Sequence, residues 1–278
     1  MNKTLPVFLC KGISSWDDIK APVLHAADSP SPVKEHIAGL KGSLVSFFVQ
    51  AYLSRVDVNI THALQYSEKM PEASRTVLLV APDMHEALSL QSDLSTLFRA
   101  QGKEADILVF PQFTDVPYRP VSKGSVTFGK RAASLAKLST RKADLSRPLI
   151  IISTERALLQ PLPPPDHIKG NSFWIQKDKS IDPQKTAEKL SEMGYYRVPK
   201  VSVRGEFALR GEVLDIFLSG EDQPCRVQFD FDTVEAIRTF DIETQLTITP
   251  LKELLVYPNK EVLWNDELVK KLEEILQK

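Results

Sequence analysis

Three short runs of uninterrupted apolar residues constrain this chain more than any other feature: Val77–Ala81, Ile107–Phe110 and Leu149–Ile152. A strand with one wet face alternates apolar and polar residues. A strand without alternation needs cover on both faces, as in a parallel sheet. Helical stretches flank the runs. Leu44–Leu53 is a strongly apolar helix. Asp83, with Glu86 three residues on, opens a second helix in the capping-box pattern, and that helix continues through Leu88, Leu94 and Phe98. Pro111 stops the second apolar run. This order predicts an α/β domain whose parallel strands are joined by right-handed crossovers.

Between the second and third runs, residues 111–126 hold three prolines and a glycine and read as a loop. Thr127–Leu138 follows as a helix with Lys130, Arg131 and Lys137 turned outward. Four prolines in Pro161–Gly170 disfavour helix and sheet, favour extended backbone and mark a boundary. Beyond it the style changes. Asp182–Met193 reads as an amphipathic helix, with Asp182 as N-cap, Pro183 in the first turn and Gly194 past the end. Short strands follow at Arg197–Val203, Glu206–Leu209, Val213–Phe217, Arg226–Phe229 and Val234–Phe240. Their spacing predicts a small antiparallel α+β domain. Leu254–Tyr257 reads as a buried strand returning to the first sheet, and Asn265–Leu276 as a closing amphipathic helix. The expected organisation is an extension over 1–35 and an α/β domain over 36–165, with an inserted loop-helix subdomain near 111–140. The small α+β domain takes 171–250, and the chain returns to the first domain over 251–278.

The formal net charge is −1, so no global basic excess draws the chain onto nucleic acid. Cys10 and Cys225 are the two cysteines, too few for a zinc site and too distant to suggest a disulfide framework. The five histidines (His25, His36, His62, His85 and His167) have no ligand spacing, so no metal and no cofactor are expected. The N-terminal apolar stretch is broken by Pro6 and Lys11, too short for a signal sequence or membrane span. A cytoplasmic protein with reduced thiols is the expectation.

Several local patterns together resemble one family. Gly194–Thr247 runs GYYRVPKVSVRGEFALRGEVLDIFLSGEDQPCRVQFDFDTVEAIRTFDIETQLT. It is similar to the small second domain of UvrB and of the bacterial transcription-repair coupling factors (Mfd). The shared features are the G-Y segment, the R-G run, the LDIF strand, the R-V-x-F strand and the E-x-I-R-x-F-D strand. Ala81–Leu94 and Phe110–Leu138 resemble the first-domain units of the same coupling factors. The resemblance covers about residues 36–260, and the order and spacing of the motifs make it specific. It implies a UvrB-like first domain with an inserted subdomain, and a second domain that docks UvrA. It also implies regions for RNA polymerase and double-stranded DNA that are not found within these residues.

The nucleotide loop separates the two branches of the resemblance. A working loop needs G-x-x-x-x-G-K-[ST], so that backbone N–H groups cradle phosphate, lysine neutralises it and the hydroxyl holds Mg²⁺. Aligned on Gly39 the chain reads Gly39-Leu40-Lys41-Gly42-Ser43-Leu44-Val45-Ser46. Gly39 and Ser46 fit. Leu44 stands for the second glycine and Val45 for the lysine, so a degenerate loop without ATPase activity is expected. Residues 111–126 are also too short for an aromatic DNA-clamping hairpin and carry only Phe113 and Tyr118. The resemblance places Arg210 and Arg226 at UvrA-contacting positions, where a planar guanidinium suits carboxylate partners. Without it, both read as solvated surface arginines whose loss would barely affect folding. Strand alternation puts Phe229 in the core. Phe231 lies one place beyond the family's second aromatic, so either it sits in a turn and reaches the docking surface or that anchor is missing. The reading is a non-catalytic UvrA-recruiting module. Its rivals are a UvrB-type ATPase and a nucleic-acid-binding module.

Overall fold

The computed structural model describes residues 40–66, 75–113, 126–141, 147–260, 263 and 266–276, with backbone alone for 58–66, 266–268 and 271. Gly39, Cys10, Tyr118 and most of the loop expected at 111–126 lie outside these residues. In chain order the first elements are α1 (Leu44–Tyr66), β1 (Thr76–Ala81), α2 (Met84–Ala100), β2 (Asp106–Phe110), α3 (Val126–Thr140), β3 (Leu149–Thr154) and α4 (Glu155–Leu158). They are followed by α5 (Pro165–Gly170), β4 (Phe173–Gln176), α6 (Pro183–Glu192), β5 (Tyr196–Arg197), β6 (Glu206–Arg210) and β7 (Val213–Ile216). The last are β8 (Cys225–Asp230), β9 (Thr233–Phe240), β10 (Thr247–Leu251), β11 (Glu253–Val256) and α7 (Asp266–Leu276). They fall into two compact units, one of residues 1–112 and 143–159, the other of 113–142 and 160–278.

The first unit holds the parallel sheet expected from the three apolar runs, but β1 is not covered on both faces as its run suggested: Leu78 and Val80 are half exposed on one side of this edge strand. β3 is central and pairs in parallel with β1 and with β2. α2 starts where Asp83 accepts the Glu86 amide at 2.9 Å, and it buries Ala87, Leu90, Leu94 and Phe98 at helical spacing. Gly102, at φ 63°, ends the helix, and Lys103 donates to the Phe98 carbonyl in the 6→1 closure that a left-handed C′ residue permits. Val49 and Leu53 of α1 complete this core with Ile150 and Ile152.

The second unit is built on a six-stranded sheet in the order β10-β9-β8-β7-β6-β5. All its pairings are antiparallel except the short β5–β6 contact. One face packs Phe207, Leu214, Ile216, Val227, Phe229 and Ile237 against α6, whose N-cap Asp182 accepts the amides of Gln184 and Lys185.

Five further sequence expectations are corrected. Leu254–Tyr257 does not return to the parallel sheet: β11 pairs antiparallel with β4, and Leu254–Tyr257 lies in the second unit's core. α3 is not an insertion of the first domain, because Ala132, Ala133 and Ala136 bury themselves in that same core. Arg131 is not outward. It is 2% exposed, donates to Gln160 Oε1 and the Pro161 carbonyl, and stacks 4.3 Å from the Phe113 ring. Pro161–Gly170 is only half extended. Pro165 sits in the first turn of α5, where its missing N–H costs nothing, and Ile168 is buried beneath. The expected strand Arg197–Val203 is also shorter, because the Glu206 carboxylate caps the amides of Ser202 and Val203 as a turn.

Candidate partner-docking face

The outer face of the six-stranded sheet is unlike its inner one. Directly paired residues share a face. The registers Arg210↔Val213, Val213↔Gln228, Asp215↔Arg226 and Arg226↔Arg238 therefore gather these residues on the side away from the core. Three arginines and one aspartate make this face locally basic in a chain of net charge −1.

Asp215 organises the group. Its side chain is 2% exposed, and it accepts from both candidate arginines. Arg226 donates from Nε to Oδ1 at 2.6 Å and from Nη2 to Oδ2 at 2.9 Å, the bidentate fork that fixes a guanidinium's plane. Arg210 donates from Nη2 to the same Oδ2 at 2.7 Å. Arg226 also donates to Gln245 Oε1 at 3.0 Å and lies 4.5 Å from the Phe240 ring. The hydrogen bond to Asp215, more than any other influence, raises the Arg226 pKa above its already high ordinary value. Arg238 Nη1 donates to Gln228 Oε1, satisfying a cation that would otherwise only face Arg226 across the strands. Arg210, Val213, Arg226, Gln228 and Gln245 line an open depression of about 500 Å³.

Gln245 is held in place by its own loop. Its φ is 63°, and the Asp241 carboxylate braces the turn by accepting from the Thr244 amide at 2.7 Å, the Thr244 hydroxyl at 2.8 Å and the Glu243 amide at 3.1 Å. These bonds, the Thr244 amide first, hold the Asp241 carboxyl below the usual carboxylate range. Gln245 Nε2 donates to the Ile242 carbonyl, which leaves its oxygen for Arg226.

The structure thus brings Arg210 and Arg226 together. Arg210 is half exposed, but Arg226 is mostly covered, so only the first is the solvated arginine that composition suggests. Phe231 is in the β8–β9 turn at φ 55° and is 82% exposed. Phe229 is buried in the core. Five residues of strand put Phe231 roughly 16 Å along from Arg226. It lies at the same end of the sheet as Arg210, since the Phe229 amide donates to Glu212 in the β6–β7 turn. Sequence reading passed over Asp215, Gln245, Gln228 and Arg238. For Asp215 a signal was present: a lone carboxylate in VLDIF, in step with Val213 and out of step with Leu214 and Ile216.

In the first unit, Gly42 has φ 53°, Leu44 begins α1, Val45 packs against the core and Ser46 is fully buried. No group of three or more His, Cys, Asp or Glu residues able to hold a metal occurs among the described residues. No helix among them is long and apolar enough to cross a membrane.

A mostly antiparallel α+β domain with a basic, hydrogen-bonded outer sheet face, in one chain with a parallel-sheet α/β unit, is the class these features define. Residues 173–262 match the UvrB interaction domain family. The transcription-repair-coupling factor of Haemophilus influenzae is 31% identical over 205 residues, 74% of this chain and 17% of that protein. The Bacillus subtilis factor is 27% identical over 259 residues, 92% of this chain and 19% of the relative. That of Escherichia coli is 27% identical over 185 residues, covering 66% and 15%. These matches identify the chain as an N-terminal UvrB-like module of the transcription-repair-coupling-factor family. The chain spans less than a fifth of the length of these relatives.

Proposed function

We propose that this chain is a non-catalytic module of transcription-coupled excision repair that docks UvrA on the outer face of its six-stranded sheet. The observation that carries the reading is the convergence of Arg210 and Arg226 on Asp215 beside an open depression. Two guanidiniums held at a sheet surface suit a carboxylate-bearing partner, because each can offer directed donors without first being ordered. Phe231 would add an apolar anchor at the rim.

The experiment is UvrA binding by Arg210→Gln and Arg226→Gln variants, each first checked by thermal melting. Arg210 is half exposed and makes one of the three arginine bonds to Asp215, so its neutralisation should lower melting only slightly and weaken UvrA binding by ~2–5 kcal/mol. Arg226→Gln removes the main counter-charge of a buried carboxylate, so a larger drop in melting point accompanies the binding loss. Charge reversal is avoided at both positions because it would set a second carboxylate beside buried Asp215. Parent-like binding by both variants would move the docking surface elsewhere.

The absence of catalysis rests on the loop ahead of α1. Val45, at the aligned position of the lysine, packs against the core, and Leu44 takes the aligned position of the second glycine, where phosphate needs bare backbone. A fluorescent ATP analogue should show no saturable binding up to millimolar concentration, which separates this reading from a UvrB-type ATPase. Anisotropy titrations with DNA across salt concentrations test the nucleic-acid alternative, whose signature is a steep salt slope.

A further inference from the structure

We infer that Asp215 is a positioning residue for docking: unreachable itself, it sets the spacing and orientation of the Arg210 and Arg226 guanidiniums, with Gln245 as a second support for Arg226. The inference rests on the docking reading above and assigns a role to residues that would not touch the partner, or would touch it only secondarily.

The geometry leaves little freedom. Arg226 spends Nε and Nη2 on Asp215 and Gln245, so its plane is fixed and Nη1 is the donor group left over by these bonds. Oδ2 of Asp215 accepts from Arg210 and Arg226 at once, which keeps two cations close that would otherwise repel. Asp215 is almost wholly covered, so it contributes through the arginines alone. Gln245 occupies a left-handed conformation that costs a side-chain-bearing residue, and the Asp241-braced turn holds it there. The strain makes sense if the oxygen of Gln245 must meet Arg226.

This inference and simple electrostatics predict opposite results. If the face acts only through its net positive charge, neutralising Asp215 makes it more positive and should tighten binding to an acidic surface. If Asp215 positions the arginines, Asp215→Asn should loosen binding. The amide keeps the size but turns an N–H donor toward guanidinium donors. UvrA affinity is to be measured at fixed salt and at a temperature where circular dichroism shows the variant folded. The expected result is roughly tenfold weaker binding, the scale on which ordering two long side chains acts. In an Arg210→Ala/Arg226→Ala background the same substitution should change affinity little. The Arg226 Nε–Hε resonance should be sharp and slowly exchanging in the parent, where Nε donates to Asp215, and should merge with bulk arginine signals in the variant. Unchanged or tighter binding, or an undiminished loss in the double-alanine background, overturns the inference. Should Asp215→Asn not fold, Gln245→Asn carries the test. Asparagine tolerates the left-handed backbone but is too short to reach Arg226, so a several-fold loss is expected, absent when Arg226 is alanine. Parent-like affinity in that variant also overturns it. Full UvrA binding by the double-alanine variant would instead overturn the docking reading.

Discussion

At the scale of single residues, Phe231 is the least economical choice in the chain. A bulky side chain at φ 55° pays for a left-handed backbone and then stands 82% in solvent. Packing within the protein does not explain it, whereas a partner would. Phe231→Asn should leave the melting temperature unchanged or slightly raised, since asparagine accepts this conformation. UvrA binding should weaken by ~1–2 kcal/mol, as expected for an aromatic anchor. Calorimetry and a binding titration on one sample check both halves. Arg131 teaches the reverse lesson. Its helix position reads as solvent-facing, yet Gln160 and the Phe113 ring cover it, and neither is near it in sequence.

At the scale of elements, α3 packs into the second unit with one backbone approach closer than the rest. Glycine inside a helix costs about 1 kcal/mol relative to alanine, so Gly129 needs a reason. A Cβ there would sit 2.2 Å from the Ser219 carbonyl carbon and 2.5 Å from the Gly220 nitrogen, both backbone. Neither can swing aside. Gly129→Ala should therefore destabilise the second unit by ~1–3 kcal/mol, despite its better helix propensity. Urea unfolding monitored by circular dichroism would show it, and an unchanged midpoint would mean that this contact relaxes cheaply. The elements themselves were largely legible. β1, β2, β3, α2 and α6 follow from apolar runs and caps, because those signals are local. β10 and the parallel β5–β6 contact were not, since neither Thr247–Leu251 nor Tyr196–Arg197 has a strand-like pattern of its own.

At the scale of the whole molecule, the second unit encloses a group of ionisable side chains that are neutral at physiological pH. Tyr195 donates to the Tyr257 carbonyl at 2.8 Å, and the Tyr257 hydroxyl accepts from the Gly220 amide. Burial pushes the Cys225 thiol up from 9.0 to about 12, and raises both tyrosines well above the ordinary phenol value of 10.0. All three are raised in the folded state, so their stabilising effect is intact below pH 9 and is lost as pH climbs past each ordinary value. Each group then costs up to ~1.4 kcal/mol per pH unit. The urea midpoint should hold between pH 7 and pH 8.5 and fall steeply between about pH 9.5 and 11. A flat profile across that range would show that water reaches the site.

What the sequence determined alone is local or carried by ordered motifs: the three parallel strands, the helix caps, the change of style after the prolines, and the two arginines at positions the resemblance singles out. Periodicity and capping act over a few residues, so a string of letters contains them. Which surfaces those elements cover was left to the tertiary structure. It placed α3 and β11 in the second unit's core rather than with the parallel sheet, because apolar faces are satisfied by whichever neighbour fits. It also brought two separate arginines onto one carboxylate. The buried carboxylate between them acts only when strand register sets Asp215 opposite Arg226 and Arg210 reaches over from the next strand, and register is a property of the sheet, not of any one segment.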